Sequence, residues 1–155
     1  MEEDYTVIEE EILLLFKEAL KDEFPVIAEE INEKKKEDWI KPFENIFIGT
    51  TDEILAVKPL AILSLTKTKK KMEDRFVEHN EYTLTLAVVF ALNTEEFTCY
   101  RYALALSLLI KNSELLKKAA DRIVLEETVV HQTLFQGSGE FPQTEYVFSM
   151  ERDDF

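Results

Sequence analysis

The sequence has very little glycine: three residues in 155, alongside four prolines, one cysteine and two histidines. Three glycines leave almost nothing from which to build a phosphate-binding loop, and neither a GxSxG, an HExxH nor a paired CxxC motif occurs. The lone Cys99 has no partner for an intramolecular disulfide. No charged start leads into an apolar run and a small-residue cleavage site, so the reading favours a cytoplasmic protein. Long apolar runs are also missing. The longest, Ala103 to Ile110, is interrupted by Ser107 and falls far short of the roughly 20 residues that span a bilayer.

Basic residues are scarce as well. Lys and Arg number 18 against 32 Asp and Glu, a formal charge of −14. Residues 1–45 alone hold 15 acidic and 6 basic side chains, so −9 of the excess lies there. Nucleic-acid affinity comes largely from cationic side chains that displace counterions, so this balance argues against sequence-specific DNA binding. It also keeps a protein soluble.

What the chain does have is core material: 46% hydrophobic residues, including 11 Phe, 5 Tyr and one Trp. That suffices for one domain over residues 1–155 without a metal or disulfide. Val7, Ile8, Ile12, Leu15 and Ala19 recur at helical spacing opposite Glu9, Glu10, Glu11 and Glu18, which predicts an amphipathic first helix. Leu13, Leu14, Phe16 and Leu20 widen its apolar stripe beyond what one covered side needs, marking Leu13 and Phe16 as candidates to meet a partner subunit. Pro25 fits the start of a second helix running into the charged stretch Glu33 to Asp38, and residues 1–38 form the acidic helical region. Residues 39–59, with Pro42, Gly49, Thr50 and Thr51, read as an irregular connector with room for one short strand at Ile46–Ile48.

The body spans residues 60–152. Leu60–Thr66 and Tyr82–Leu92 read as a hairpin, the second strand alternating Tyr82, Leu84, Leu86, Val88 and Phe90 with Thr83, Thr85, Ala87 and Val89. The charged connection Lys67–Asn80 is too long for a tight turn and lets the strands continue outwards. Asn93 and Glu96 form a capping-box variant opening a helix whose stripe Phe97, Tyr100, Leu104 and Leu108 is expected against the sheet. A short continuation through Leu115 and Leu116 precedes β-branched Arg122–Phe135, a Gln136–Gly139 loop and a last strand over Thr144–Arg152. The order α-β-β-α-β-β predicts an α+β fold, one antiparallel sheet of about four strands with two main helices packed on it.

No residue set recommends catalysis, a cofactor or a metal. His79 and His131 lie far apart in sequence, Cys99 sits early in a helix among apolar partners, and Glu126–Glu127 and Asp153–Asp154 are neighbours in sequence rather than facing pairs. The chain therefore reads as a non-enzyme. Its most unusual local feature is the basic cluster Lys67, Lys69, Lys70 and Lys71, suited either to an acidic patch on a neighbour or to guarding a strand edge.

The phrase Asn45-Ile-Phe-Ile-Gly-Thr50, leading through Pro59-Leu-Ala-Ile-Leu to a charged loop and then Tyr82-Thr-Leu-Thr-Leu-Ala-Val-Val, resembles the layout of bacteriophage tail-terminator and tail-completion proteins. The resemblance is one of element order over most of the chain, with no diagnostic residue motif. It implies a structural protein that forms a ring, often of six subunits, capping the tail tube and meeting the neck, made in the cytoplasm and carried in the virion tail. An acidic ring would also let DNA slide past without sticking. The alternative is an intracellular binding or regulatory domain that dimerises through its sheet.

Overall fold

The computed structural model describes residues 7–49, 58–72, 78–92, 94–135 and 139–154. Helix α1 (Ile8–Glu18) runs through a wider π-helical turn (Ala19–Glu23) into α2 (Phe24–Lys35). Proline lacks the N–H that a continuing α-helix requires, and Pro25 falls where the wider turn has just ended and α2 begins. The α2 helix closes at Lys36, which takes the left-handed conformation (φ 57°) and donates its N–H to the carbonyls of Asn32 and Glu33.

Five strands form one mixed sheet in the order β1-β2-β3-β5-β4. They are β1 (Asn45–Ile48), β2 (Leu60–Met72), β3 (Glu78–Val89), β4 (Arg122–Phe135) and β5 (Gly139–Asp154); α3 (Glu96–Asn112) and α4 (Glu114–Ala119) lie between β3 and β4. The α+β class holds, whereas the four-stranded antiparallel sheet is corrected. The short strand in the connector pairs parallel with β2, Asn45 opposite Leu60 through Ile48 opposite Leu63, and adds a mixed edge. Gly49 ends it at φ 87°, its N–H bonded to the Leu63 carbonyl at 2.8 Å. Strands β2 and β3 continue outwards through the charged connection to Met72 and Glu78.

The last strand begins at Gly139 rather than near Thr144. Pro142 lies inside this strand, although proline has no N–H to give a ladder. Its carbonyl accepts from the N–H of Phe90 at 2.9 Å, so the side lacking a donor faces the end of β3, not β4. The predicted Asn93 cap and residues 136–138 of the predicted loop lie outside the described residues. The N-cap of α3 is Glu95, whose side chain makes no cap hydrogen bond, while Ser113 caps α4, accepting from the Leu116 N–H at 2.9 Å.

Period-two alternation divides the sheet into two faces. Leu63, Leu84, Leu86, Val88, Tyr146, Phe148 and Met150 are buried beneath Ile12, Phe16, Leu20, Phe24, Leu106 and Leu109 from the helices. Each such aliphatic side chain contributes about 1.5–3 kcal/mol by leaving water. The opposite face carries only a small apolar cluster, Leu60, Val89 and Phe141 with Phe47 and Ile62, to which no described helix contributes.

The connector is tied down by two side chains. Asn32 accepts the N–H groups of Trp39 and Ile40 at 2.8 and 2.9 Å and donates to the Ile40 carbonyl at 2.8 Å. The Tyr102 hydroxyl donates to the Lys41 carbonyl at 2.8 Å and accepts from its N–H at 2.9 Å. Its ring lies among Phe24, Phe43 and Phe90, with centroids 5.0–6.1 Å away.

Candidate interaction surface

Helix α3 carries apolar residues on several sides, and the orientation expected from its periodicity is corrected, with Leu108 alone of the expected stripe half-buried. The stripe expected against the sheet, Phe97, Tyr100 and Leu104, points outwards and is 51%, 52% and 48% exposed. The residues that meet the core are Cys99, Tyr102, Ala105, Leu106 and Leu109. Small Cys99 and Ala105 let the helix approach the sheet, where Thr144 donates to the Cys99 Sγ at 2.9 Å and the Tyr146 hydroxyl donates to the Cys99 carbonyl at 2.6 Å. Burial pushes the Cys99 thiol above its ordinary pKa, and the side chain packs in the core.

From Phe97 to Ser113 there is no acidic residue, although the chain carries −14 overall. The outer face is apolar with two cations, Arg101 and Lys111. The Arg101 guanidinium lies between two rings, 4.4 Å from the Trp39 centroid and 4.6 Å from that of Phe97, and Lys35 Nζ sits 4.5 Å from the Trp39 ring. Such stacking holds the cation in place without neutralising it. Leu92, just before the helix, is 49% exposed.

The two α1 candidates differ in exposure. Phe16 is fully buried, its ring 5.2 Å from Phe148, and Leu13 is half-buried against the core. What widened the α1 stripe was a helix wedged between the sheet and α4. The outward side chains are Val7, Glu10, Leu14 and Glu18, with Val7 57% and Leu14 51% exposed. Lys67, Lys69, Lys70 and Lys71 fall on β2 itself, in register with Tyr82, Glu81, Asn80 and His79; their side chains lie outside the described part of the structure.

The open face of the sheet brings together a group that sequence spacing did not reveal. His79 Nδ1 lies 2.6 Å from Asp153 Oδ1, its Nε2 lies 3.9 Å from Glu81 Oε1, and ligand atoms of His79, Glu81 and Glu151 fall within 4.8 Å of one another. These donors could hold a divalent cation. Across the sheet, however, the register runs Lys69, Glu81, Glu151, Arg122, so a basic position flanks each glutamate. The row is charge-balanced by its own residues. Only the pairing of β3 with β5 makes it visible. His131 stands apart, 3.7 Å from Glu145.

On the helix-covered face the polar residues are structural. Asp154 joins Asn80 Nδ2 and Arg152 Nε, each at 2.7 Å, and Arg152 also donates to the Ala119 carbonyl at 3.1 Å and reaches Glu11 at 3.5 Å. These bonds hold the end of β5 to α1 and α4. A groove between α2 and α3 is floored by Val26, Ile27 and Leu109 and rimmed by Asp22, Glu23 and Glu30. Glu23 accepts from the Ser113 hydroxyl and from the Glu114 N–H, so one rim carboxylate is already engaged.

No helix among the described residues is long and apolar enough to cross a membrane. No protein-family model and no curated protein matches the sequence.

Proposed function

We propose that this chain is a non-catalytic structural protein of a phage or prophage tail, which caps the tail tube as an oligomeric ring and contributes to the head–tail junction. The observation that carries the reading is the outer face of α3. Three large apolar side chains aligned on one helix stripe stay about half exposed, and an aligned patch of this kind favours contact with another protein surface. The element order supports the tail assignment, since the strand suggested by Asn45-Ile-Phe-Ile forms beside the strand that follows Pro59. The partners are then further copies of the chain, tail-tube subunits and neck proteins.

The test is to polymerise a phage tail-tube protein with and without the chain, and to measure tube lengths by electron microscopy. Capping shortens the distribution and places density at tube ends. Unchanged lengths and bare ends would overturn the proposal. A regulatory domain that dimerises through its sheet is the second reading, favoured by the face that no described helix covers. Val147→Glu, at the middle of that face, would then abolish a dimer.

A further inference from the structure

We infer that the outer face of α3 docks the outer face of α1 from a second copy of this chain. The inference rests on the assembly reading above and names the surfaces that would mate. Both faces carry apolar side chains seven residues apart, Val7 at the N-cap of α1 with Leu14 on the helix, and Phe97 with Leu104 on α3. Seven residues make two turns, about 10 Å along a helix, so the two pairs can meet together. The charge between them is opposite. The exposed Glu10 separates Val7 from Leu14, whereas Arg101, held against Trp39 and Phe97, separates Phe97 from Leu104.

Beyond the apolar pairs, α1 continues with exposed Glu18 and α3 with exposed Lys111. A partner for α3 should thus be an amphipathic helix with carboxylates between its apolar residues. The chain itself carries one, similarly exposed. Pairing two different surfaces of the same protein is a heterologous contact, which closes into a ring when the rotation allows.

The faces are separable by mutation because Leu14 and Leu104 are each about half exposed and outside the core. Leu14→Glu and Leu104→Glu are made singly, checked for an unchanged thermal midpoint, and measured by light scattering after size exclusion. The expected result is self-association of the wild type, weakened by raising salt from about 0.05 to about 0.5 M, and a loss of affinity of about tenfold or more in each variant. Mixing the two variants is decisive. Leu104→Glu keeps an intact α1 face and Leu14→Glu an intact α3 face, so the mixture should form a one-to-one pair that neither forms alone.

Two monomers in the mixture, wild-type-like association of either variant, or a wild type monomeric up to about 1 mM would overturn the inference. Should Leu14→Glu fail to fold, Glu10→Lys replaces it under the same criteria. The two proposals fail separately. Tubes capped equally well by Leu14→Glu would remove this contact and leave the function, whereas self-association through these faces without capping would do the reverse.

Discussion

Neighbouring residues on α1 divide sharply between core and solvent. Phe16 has no exposed surface and Leu14, two positions away, is half exposed. Phe16→Ala should therefore cost about 3–5 kcal/mol, the range for emptying a buried aromatic site. Leu14→Ala should stay within about 0.5 kcal/mol. Urea unfolding of the two variants measures the contrast, and equal losses would show that the helix is rotated. The tyrosines make a second prediction. Burial is the main cause holding Tyr82 and Tyr102 up at about 12, and it raises Tyr146 further. A phenol whose folded pKa exceeds its unfolded value near 10 adds stability that is complete below pH 10 and is lost as pH rises towards 12. Unfolding midpoints should fall across that window. Absorbance at about 295 nm should show these phenols ionising together with unfolding, and a smooth titration near pH 10 in a folded chain would contradict their burial.

Among the elements, β3 was the most readable in sequence and α3 the least. Alternation places Tyr82, Leu84, Leu86 and Val88 on one face, and all four are buried there. In α3, apolar residues occupy every side, so the direction of Phe97, Tyr100 and Leu104 depended on which side offered the small residues that fit the sheet. Likewise, two of the six residues singled out as an interface, Leu13 and Phe16, were drawn from a helix whose second covering came from α4 rather than from a partner. The grouping of His79, Glu81 and Glu151 required a strand register that spacing within one strand does not contain. The connector strand was legible as a short apolar piece, but its parallel pairing was not. Gly49 gives that edge a testable weakness. A Cβ there would meet nothing within 4 Å, so Gly49→Ala should act only through its left-handed backbone, at a cost of about 1–2 kcal/mol. A thermal melt that does not shift would mean that β1 contributes little to the fold.

For the whole molecule, the order of strands in space differs from their order in the chain. Strand β5 lies between β3 and β4, pairing from Glu78–Val89 on one side and from Arg122–Phe135 on the other. A chain cut after Phe135 loses both ladders that β5 makes, together with Tyr146, Phe148 and Met150 of the core. It should show no near-ultraviolet dichroism and no cooperative melt. A folded fragment would show that the β2–β3 hairpin and the helices are sufficient.

The same insertion sets when the protein can form during its own synthesis. Everything that β5 will cover precedes it in the chain, so α1, α3 and the two flanking strands are expected to keep part of their apolar sides open until residues 139–154 leave the ribosome. The expected order is that the sheet closes late, when β5 enters between β3 and β4. At about 5–20 residues per second, the interval between the end of α1 and the arrival of β5 is several seconds, during which solubility rests on the charge of the nascent chain. The acidic first 45 residues, which include α1 and its own apolar side, carry −9 of that charge.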